Sequence, residues 1–418
     1  MRSAAKQIND TTISIPVTLL QTGMFVCRLD RPWLGTPFLM QGFLVQSNDE
    51  LMILQQLCDT VYVDTEKSLV SLKKKQTANR GFRSIDLQQQ IKFPPAIDRQ
   101  LAATGLKNAL PIYTHSYKTL KASFKQYRTN LDLKAAVLEQ QVDSCLNAIL
   151  SNTTAMSWLT RVKTHSNYIS EHAMHVSLLA MVFAVHCGWR KEEAREAGLA
   201  GLLFDLGKIR IPKQILNKAG PLNESEILMV REHTKWGRYY LETSGFSKNV
   251  VDAAYYHHER PDGNGYPTGR VGSQVPLMAR LIRILDAYDA MISGRPYAET
   301  PMTVFNAVRT LYRGRGTLFD SQLVDLFIGM TGVYPAGTVV ELSSGEIAVV
   351  IGQNNGARLL PRVSVIRNSN KEKTQERPVN LFALKDKAGR PTLSIKRMLN
   401  DGSYGVYLKD YTRSLLIG

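Results

Sequence analysis

Seven of the eight histidines in this 418-residue chain fall between residues 165 and 297: His165, His172, His175, His186, His233, His257 and His258. Only His115 lies outside that stretch. Interleaved with them run LLFDLGKI (202–209), HHERPDGNGYP (257–267) and ILDAYDAMISGRPY (284–297). Imidazoles clustered with carboxylates are what a metal site looks like in one dimension. Mixed N and O ligation suits Fe, Mn, Zn or Ni and argues against Ca or Mg alone. A carboxylate able to bridge admits two ions, the arrangement that clamps the attacking and leaving oxygens of a phosphate ester.

Helices must carry these groups. His172 sits among Met174, Leu178, Leu179, Met181 and Phe183, whose spacing predicts a helix. Residues 191–206 read as a second helix, ended before Gly207, with Asp205 at its C-terminal end beside Leu202, Leu203 and Leu206. A carboxylate there is costly to bury unless a cation or donor meets it. His233 lies in ESEILMVREHTKWG, a third helix after the capping residue Asn223. His257 and His258 end a fourth, just before PDGNGYP. Asp286 and Asp289 share one face of a fifth.

The order His172, FD-x-GK, His233, HHE, GYP and D-x-x-DA with RPY resembles the HD-GYP family, over roughly residues 160–330. That family is a subclass of HD-domain metal-dependent phosphohydrolases acting on cyclic di-GMP. The resemblance implies His172, Asp205, His233, His257, His258 and Asp286 as metal ligands, with Asp205 bridging. It implies Lys208 and Arg295 on the substrate phosphate, a GYP loop at Gly265, Tyr266 and Pro267, and a metal-bound hydroxide attacking phosphorus. One or two divalent transition-metal ions are expected, Fe or Mn first, with Zn or Ni as alternatives.

One departure matters most. The family signature is His-Asp, and this chain reads Phe204-Asp205. Phenylalanine has no lone pair, so the site sharing His172, Asp205 and Asp286 loses an imidazole. The site with Asp205, His233, His257 and His258 keeps its set. Changing an outer-shell partner already costs about 10- to 100-fold in affinity or activity. Two readings therefore stand. One is a phosphodiesterase opening cyclic di-GMP to linear pGpG, GMP or both, with activity reduced by Phe204. The other is an impaired module that binds cyclic dinucleotide or a signalling partner as a regulator. Tyr168 stands where some relatives place a third-metal Glu, so three ions are not expected. His165, His175 and His186 read as core or exposed residues rather than ligands. Taken alone, Lys208 would complement a helix dipole, and Arg295 would be a surface ion-pair partner.

The rest of the chain frames this region. At 418 residues with 44% hydrophobic content, it has length and apolar residues for two or three domains. A net charge of +16 favours anionic partners, but no zinc-finger, RRM or helix-turn-helix signature makes nucleic acid one of them. Cys27, Cys58, Cys145 and Cys187 are widely spaced and read as reduced core residues of a cytoplasmic protein. No apolar stretch is expected to reach the ~18 residues that span a membrane.

The expected fold is multidomain: an all-α HD-type core (161–330) after a small α+β domain (11–65), and before a β-rich C-terminal extension (331–418). The N-terminal part, with WLGTPF and QGF, resembles a domain of unknown function found ahead of HD-GYP domains, with Trp33 and Phe38 as core. Residues 66–98, including KKKQTANRGFR and FPPA, read as a basic linker. Residues 99–160 read as two long connecting helices, able to carry a signal or support a homodimer. Ser343-Ser344-Gly345 marks a hairpin turn, and NSNKEKTQERP reads as a loop.

Overall fold

The computed structural model describes residues 6–7, 12–31, 42–45, 48–68, 99–130, 133–162, 168–216, 218, 220–293, 301–354, 359–386 and 391–417. Trp33, Phe38, the runs at 73–83 and 93–96, His165 and Arg295 lie outside them.

Two compact units result. The smaller joins the start of the chain to residues 333–335 and 340–398. Its first sheet has the order β1-β2-β5-β3-β4. These strands are β1 (Lys6–Gln7), β2 (Thr12–Pro16), β3 (Phe25–Leu29), β4 (Phe43–Leu44) and β5 (Thr60–Asp64), with α1 (Asn48–Leu57) before the last. The second sheet runs β10-β6-β7-β8-β9. It holds β6 (Val339–Leu342), β7 (Ile347–Gly352), β8 (Arg362–Arg367), β9 (Lys373–Asn380) and β10 (Ile395–Leu399). Val26, Val61 and Val63 from one sheet share a buried cluster with Val340, Val350 and Val363 from the other. The α+β beginning and the β-rich extension, separate in the linear reading, thus bury apolar faces in a common core.

NSNKEKTQERP departs from its expected loop. Residues 373–380 form β9 on the sheet edge, mostly exposed. Charge and a proline are what an edge strand tolerates, and they hide the alternation by which strands are recognised.

The larger unit is helical. Its elements are α2 (Arg99–Asn130), α3 (Ala135–Ser151), α4 (Thr153–Leu159), α5 (Tyr168–His186), α6 (Lys191–Leu203), α7 (Lys213–Leu216), α8 (Glu224–Arg231), α9 (His233–Thr243), α10 (Lys248–Tyr256), α11 (Leu277–Ser293), α12 (Val304–Arg313), α13 (Ser321–Thr331) and α14 (Leu408–Ile417). The connecting region holds three helices rather than two, because Asn152 ends α3 and caps α4 by accepting from Ala155 N–H. The helix expected through 224–237 breaks at Glu232 into α8 and α9. Its start is as expected. Asn223 Oδ1 accepts from Glu226 N–H at 2.9 Å, and Glu226 accepts in return from Asn223 N–H at 2.8 Å.

Helix α5 is buried nearly all round, packed on α6 and α11. Contrary to the sequence reading, its Ile169–His186 stretch is long and apolar enough to cross a membrane, but 83% of it is buried inside the fold. A soluble core helix passes the same test. Helix α14 docks on α4, where Trp158 Nε1–H donates to Thr412 Oγ1 at 2.9 Å.

Candidate metal centre

Helix α6 ends at Leu203, and the chain tightens into a 3₁₀ turn at Leu206–Arg210. Asp205 occupies the corner. Gly207 lets this turn press on α9, since a Cβ there would overlap the His233 carbonyl. His233 opens α9, and His257 and His258 follow α10. One ligand atom from each of Asp205, His233, His257 and His258 lies within 4.8 Å of all the others. Asp205, His233 and His257 are buried and His258 is half-buried.

The hydrogen bonds fix what these atoms offer. His233 Nδ1 is 2.6 Å from the Val230 carbonyl. His257 Nδ1 is 3.1 Å from the carbonyls of Ala253 and Ala254. Carbonyls accept, so both Nδ1 atoms carry the proton and both Nε2 atoms present lone pairs. Those Nε2 atoms stand 3.4 Å apart. Asp205 Oδ1 is 3.4 Å from one and 3.6 Å from the other, and accepts no hydrogen bond. Three buried electron-rich atoms facing each other without a donor are costly. A cation among them removes the cost, so the donor set fits a divalent metal.

Electrostatics agree. Burial pushes the His233 imidazole down to about 4, and burial with the neighbouring His257 pushes His258 well below its usual range. Both are therefore neutral at pH 7, as metal ligands must be. Burial alone would raise Asp205, but the charges around it, the Lys208 ammonium first, hold the carboxyl well below the usual range. Lys208 Nζ donates to Asp205 Oδ2 at 2.6 Å.

His172 and Asp286 form a second, adjoining cluster. His172 Nε2 is 2.9 Å from Asp286 Oδ1, and its Nδ1 is 2.6 Å from Asp289 Oδ2. Burial opposes the charge, yet the Asp286 and Asp289 carboxylates prevail and push His172 up to about 10. His175, expected as a core residue, extends this cluster, with Nδ1 3.2 Å from Asp289 Oδ1 and Nε2 3.1 Å from the Tyr113 hydroxyl. Phe204, 1% exposed, lies edge-on to both clusters, its ring centroid 5.8 Å from that of His172 and 5.0 Å from that of His257.

Comparison with known proteins decides the family. An HD domain model matches residues 149–323, and a model described as a domain of unknown function, DUF3391, matches residues 12–136. A cyclic di-GMP phosphodiesterase of Pseudomonas aeruginosa is 34% identical over 354 residues, 84% of each chain. The chain belongs to the HD-GYP family. Two further relatives align over shorter stretches. A cyclic di-GMP phosphodiesterase response regulator of Xanthomonas campestris is 34% identical over 49% of this chain and 55% of its own. A 3'3'-cGAMP-specific phosphodiesterase of Vibrio cholerae is 33% identical over 45% of this chain and 43% of its own. The DUF3391 match runs through the 66–98 stretch and α2 into the start of α3, well past the residue-65 boundary read from the sequence.

The HD-GYP loop is built on Glu259. Its buried carboxylate accepts from the N–H groups of Thr268, Gly269 and Arg270 and from the Thr268 hydroxyl, at 2.6 to 3.1 Å. Gly265 is required by close approach: a Cβ would sit 2.5 Å from Arg260 N. The Tyr266–Pro267 bond is cis. Tyr266 stacks on His258, centroids 4.6 Å apart and planes 22° apart, and the Arg231 guanidinium lies 4.9 Å from the Tyr266 ring centroid. The sequence alone assigns Glu259 no role; its four donors give the Glu of HHE a structural one. Arg231 and Tyr113 were missed, since a lone Arg or Tyr on a helix carries no one-dimensional signal.

Proposed function

We propose that this HD-GYP protein is a metal-dependent phosphodiesterase that hydrolyses cyclic di-GMP to linear pGpG, GMP or both. The observation that carries it is the cluster of His233 Nε2, His257 Nε2, His258 and the orphaned Asp205 Oδ1 around one point. The ligand set is His172, Asp205, His233, His257, His258 and Asp286, for one or two ions, Fe or Mn before Zn or Ni; His172, held protonated by Asp286 and Asp289, would ligate only on losing that proton. A bound divalent ion polarises a phosphoryl oxygen and lowers the pKa of water. The chain's own residues do the rest. His233 and His257 are oriented by the carbonyls behind them. Lys208 neutralises Asp205 and lies where it can reach a phosphate oxygen. Tyr266 covers the His258 ring, and Arg295 joins Lys208 on the phosphate. On this reading the protein acts in the cytoplasm on a cyclic dinucleotide, with signalling proteins and a second copy of the chain as further partners.

Phe204 supports a second reading, a binding module that holds nucleotide with little turnover. It takes the place of a ligand between the two clusters. One experiment separates the two. The protein is loaded with Fe or Mn under reducing conditions, and cyclic di-GMP turnover is measured beside Asp205→Ala. A wild-type rate abolished in Asp205→Ala supports the enzyme. An inert wild type at every metal loading that still binds cyclic di-GMP supports the module.

A further inference from the structure

Helix α2 and the end of α4 line a cleft of about 340 Å³ whose walls include none of the candidate metal ligands. Leu110, Tyr113, Tyr117 and Leu159 form its walls. The Tyr113 and Tyr117 rings are nearly parallel, 7° apart, with centroids 6.5 Å apart, so they present flat apolar faces one helical turn apart. Lys118 and Lys121 stand exposed on the same lining, and neither is joined to an acidic side chain among the described residues. The volume falls at the lower end of the range for small-molecule sites, which combine apolar walls with a few charged groups. Two unpaired ammonium groups beside aromatic walls complement an anion carrying an aromatic body.

One wall of the cleft is also wired inward. The Tyr113 hydroxyl meets His175 Nε2 at 3.1 Å, and His175 Nδ1 meets Asp289 Oδ1 at 3.2 Å. Asp289 Oδ2 meets His172 Nδ1 at 2.6 Å, and His172 Nε2 meets Asp286 Oδ1 at 2.9 Å. Tyr113, His175, Asp289 and His172 are all at most 6% exposed. In a buried chain of this kind, moving one member leaves the next unsatisfied, so the members hold one another in place.

We propose that the cleft binds a small amphipathic aromatic anion, and that its occupancy is transmitted through Tyr113, His175 and Asp289 to His172. A ligand seated against the Tyr113 ring holds its hydroxyl on His175, which braces His172 and Asp286 and tightens metal binding. The transmission half rests on the metal-centre reading above; the binding half does not.

The test uses 8-anilinonaphthalene-1-sulfonate as the probe on the full-length protein, by fluorescence and calorimetry. The metal-free protein is expected to show one saturable site. Lys118→Glu/Lys121→Glu should weaken it at least tenfold and Leu110→Trp should block it, while Lys191→Glu on α6 leaves it unchanged. Saturating probe should tighten Mn²⁺ affinity at least about fivefold, the lower end of ordinary coupling between sites. Tyr113→Phe should keep probe affinity within twofold and lose the Mn²⁺ effect. The proposal is overturned by the absence of a saturable site, or by a site indifferent to both the lysine charges and Leu110→Trp. It is equally overturned by probe binding that leaves Mn²⁺ affinity unmoved, or by an Mn²⁺ effect that persists in Tyr113→Phe. If the probe site behaves as expected and Mn²⁺ does not bind at all, the metal-centre reading fails and takes the transmission half with it.

Discussion

Phe204→His puts an imidazole back between His172 and His257, and the structure sets the size of the effect. Phe204 is 1% exposed, with its ring edge-on to both histidines. Burying a phenylalanine side chain contributes about 1.5–3 kcal/mol. An unsatisfied buried imidazole nitrogen costs about 1–3 kcal/mol more. Part of the ring's burial is kept by the imidazole, so without metal the variant should lose about 2–4 kcal/mol. For a helical unit of this size, each kcal/mol moves Tm by roughly 2–4 °C, so a fall of about 5–15 °C is expected in chelator. With metal the gap to wild type narrows. A gained ligand should tighten binding by at least about 10- to 100-fold, the scale seen even for outer-shell partners. That is about 1.4–2.7 kcal/mol of added metal-dependent stabilisation at saturation. Thermal melts with chelator and with excess Mn²⁺, beside metal counting, read both effects. The reasoning is refuted if Phe204→His melts like wild type in chelator, or gains no more than wild type from Mn²⁺.

Three other variants carry expected outcomes. Lys208→Ala should weaken cyclic di-GMP affinity in calorimetry while leaving metal content unchanged; a fall in bound metal would count against its phosphate role. The same change leaves Asp205 without its 2.6 Å cation partner, so metal-free melts should also drop, by less than the ~3–5 kcal/mol of a fully buried pair because Lys208 is 27% exposed. Glu341 accepts from Arg397 and Lys371 at 2.7 and 3.2 Å, and against the opposing effect of burial these cations hold it down to about 2 from its ordinary 4.5. Such a depressed carboxyl stabilises the fold above its unfolded value and loses that contribution as pH falls toward its folded one. Glu341→Gln should therefore melt below wild type at pH 6, with the gap closing between pH 4.5 and 2; a gap independent of pH would refute the ion-pair account. Thr412→Val strands the buried Trp158 N–H, costing about 1–3 kcal/mol in denaturant unfolding, where an unchanged midpoint would show that α14 is not held there.

The histidine cluster was legible because residue type is the chemistry: few residues offer lone pairs to a metal, and their order along the chain survives folding. Asp205 was legible for the same reason, and its orphaned Oδ1 shows the expected cost of burying a carboxylate beside Leu202 and Leu203. The break at Glu232 was not legible, since ESEILMVREHTKWG keeps helix-forming residues across it. Nor was the Tyr113–His175 contact, which spans 62 residues and joins two types that usually pack in cores without partners. Alternation revealed β6 and β7 but not the core they share with β2, β3 and β5. A period-two pattern says that one face is buried, not what buries it.

The most direct measurement is anomalous diffraction from crystals of the Mn²⁺-loaded protein. The expected result is a peak at coordination distance from His233 Nε2, His257 Nε2, His258 and Asp205 Oδ1 together. An ion bound elsewhere, or those four side chains turned away from it, would contradict the reading on which the function rests.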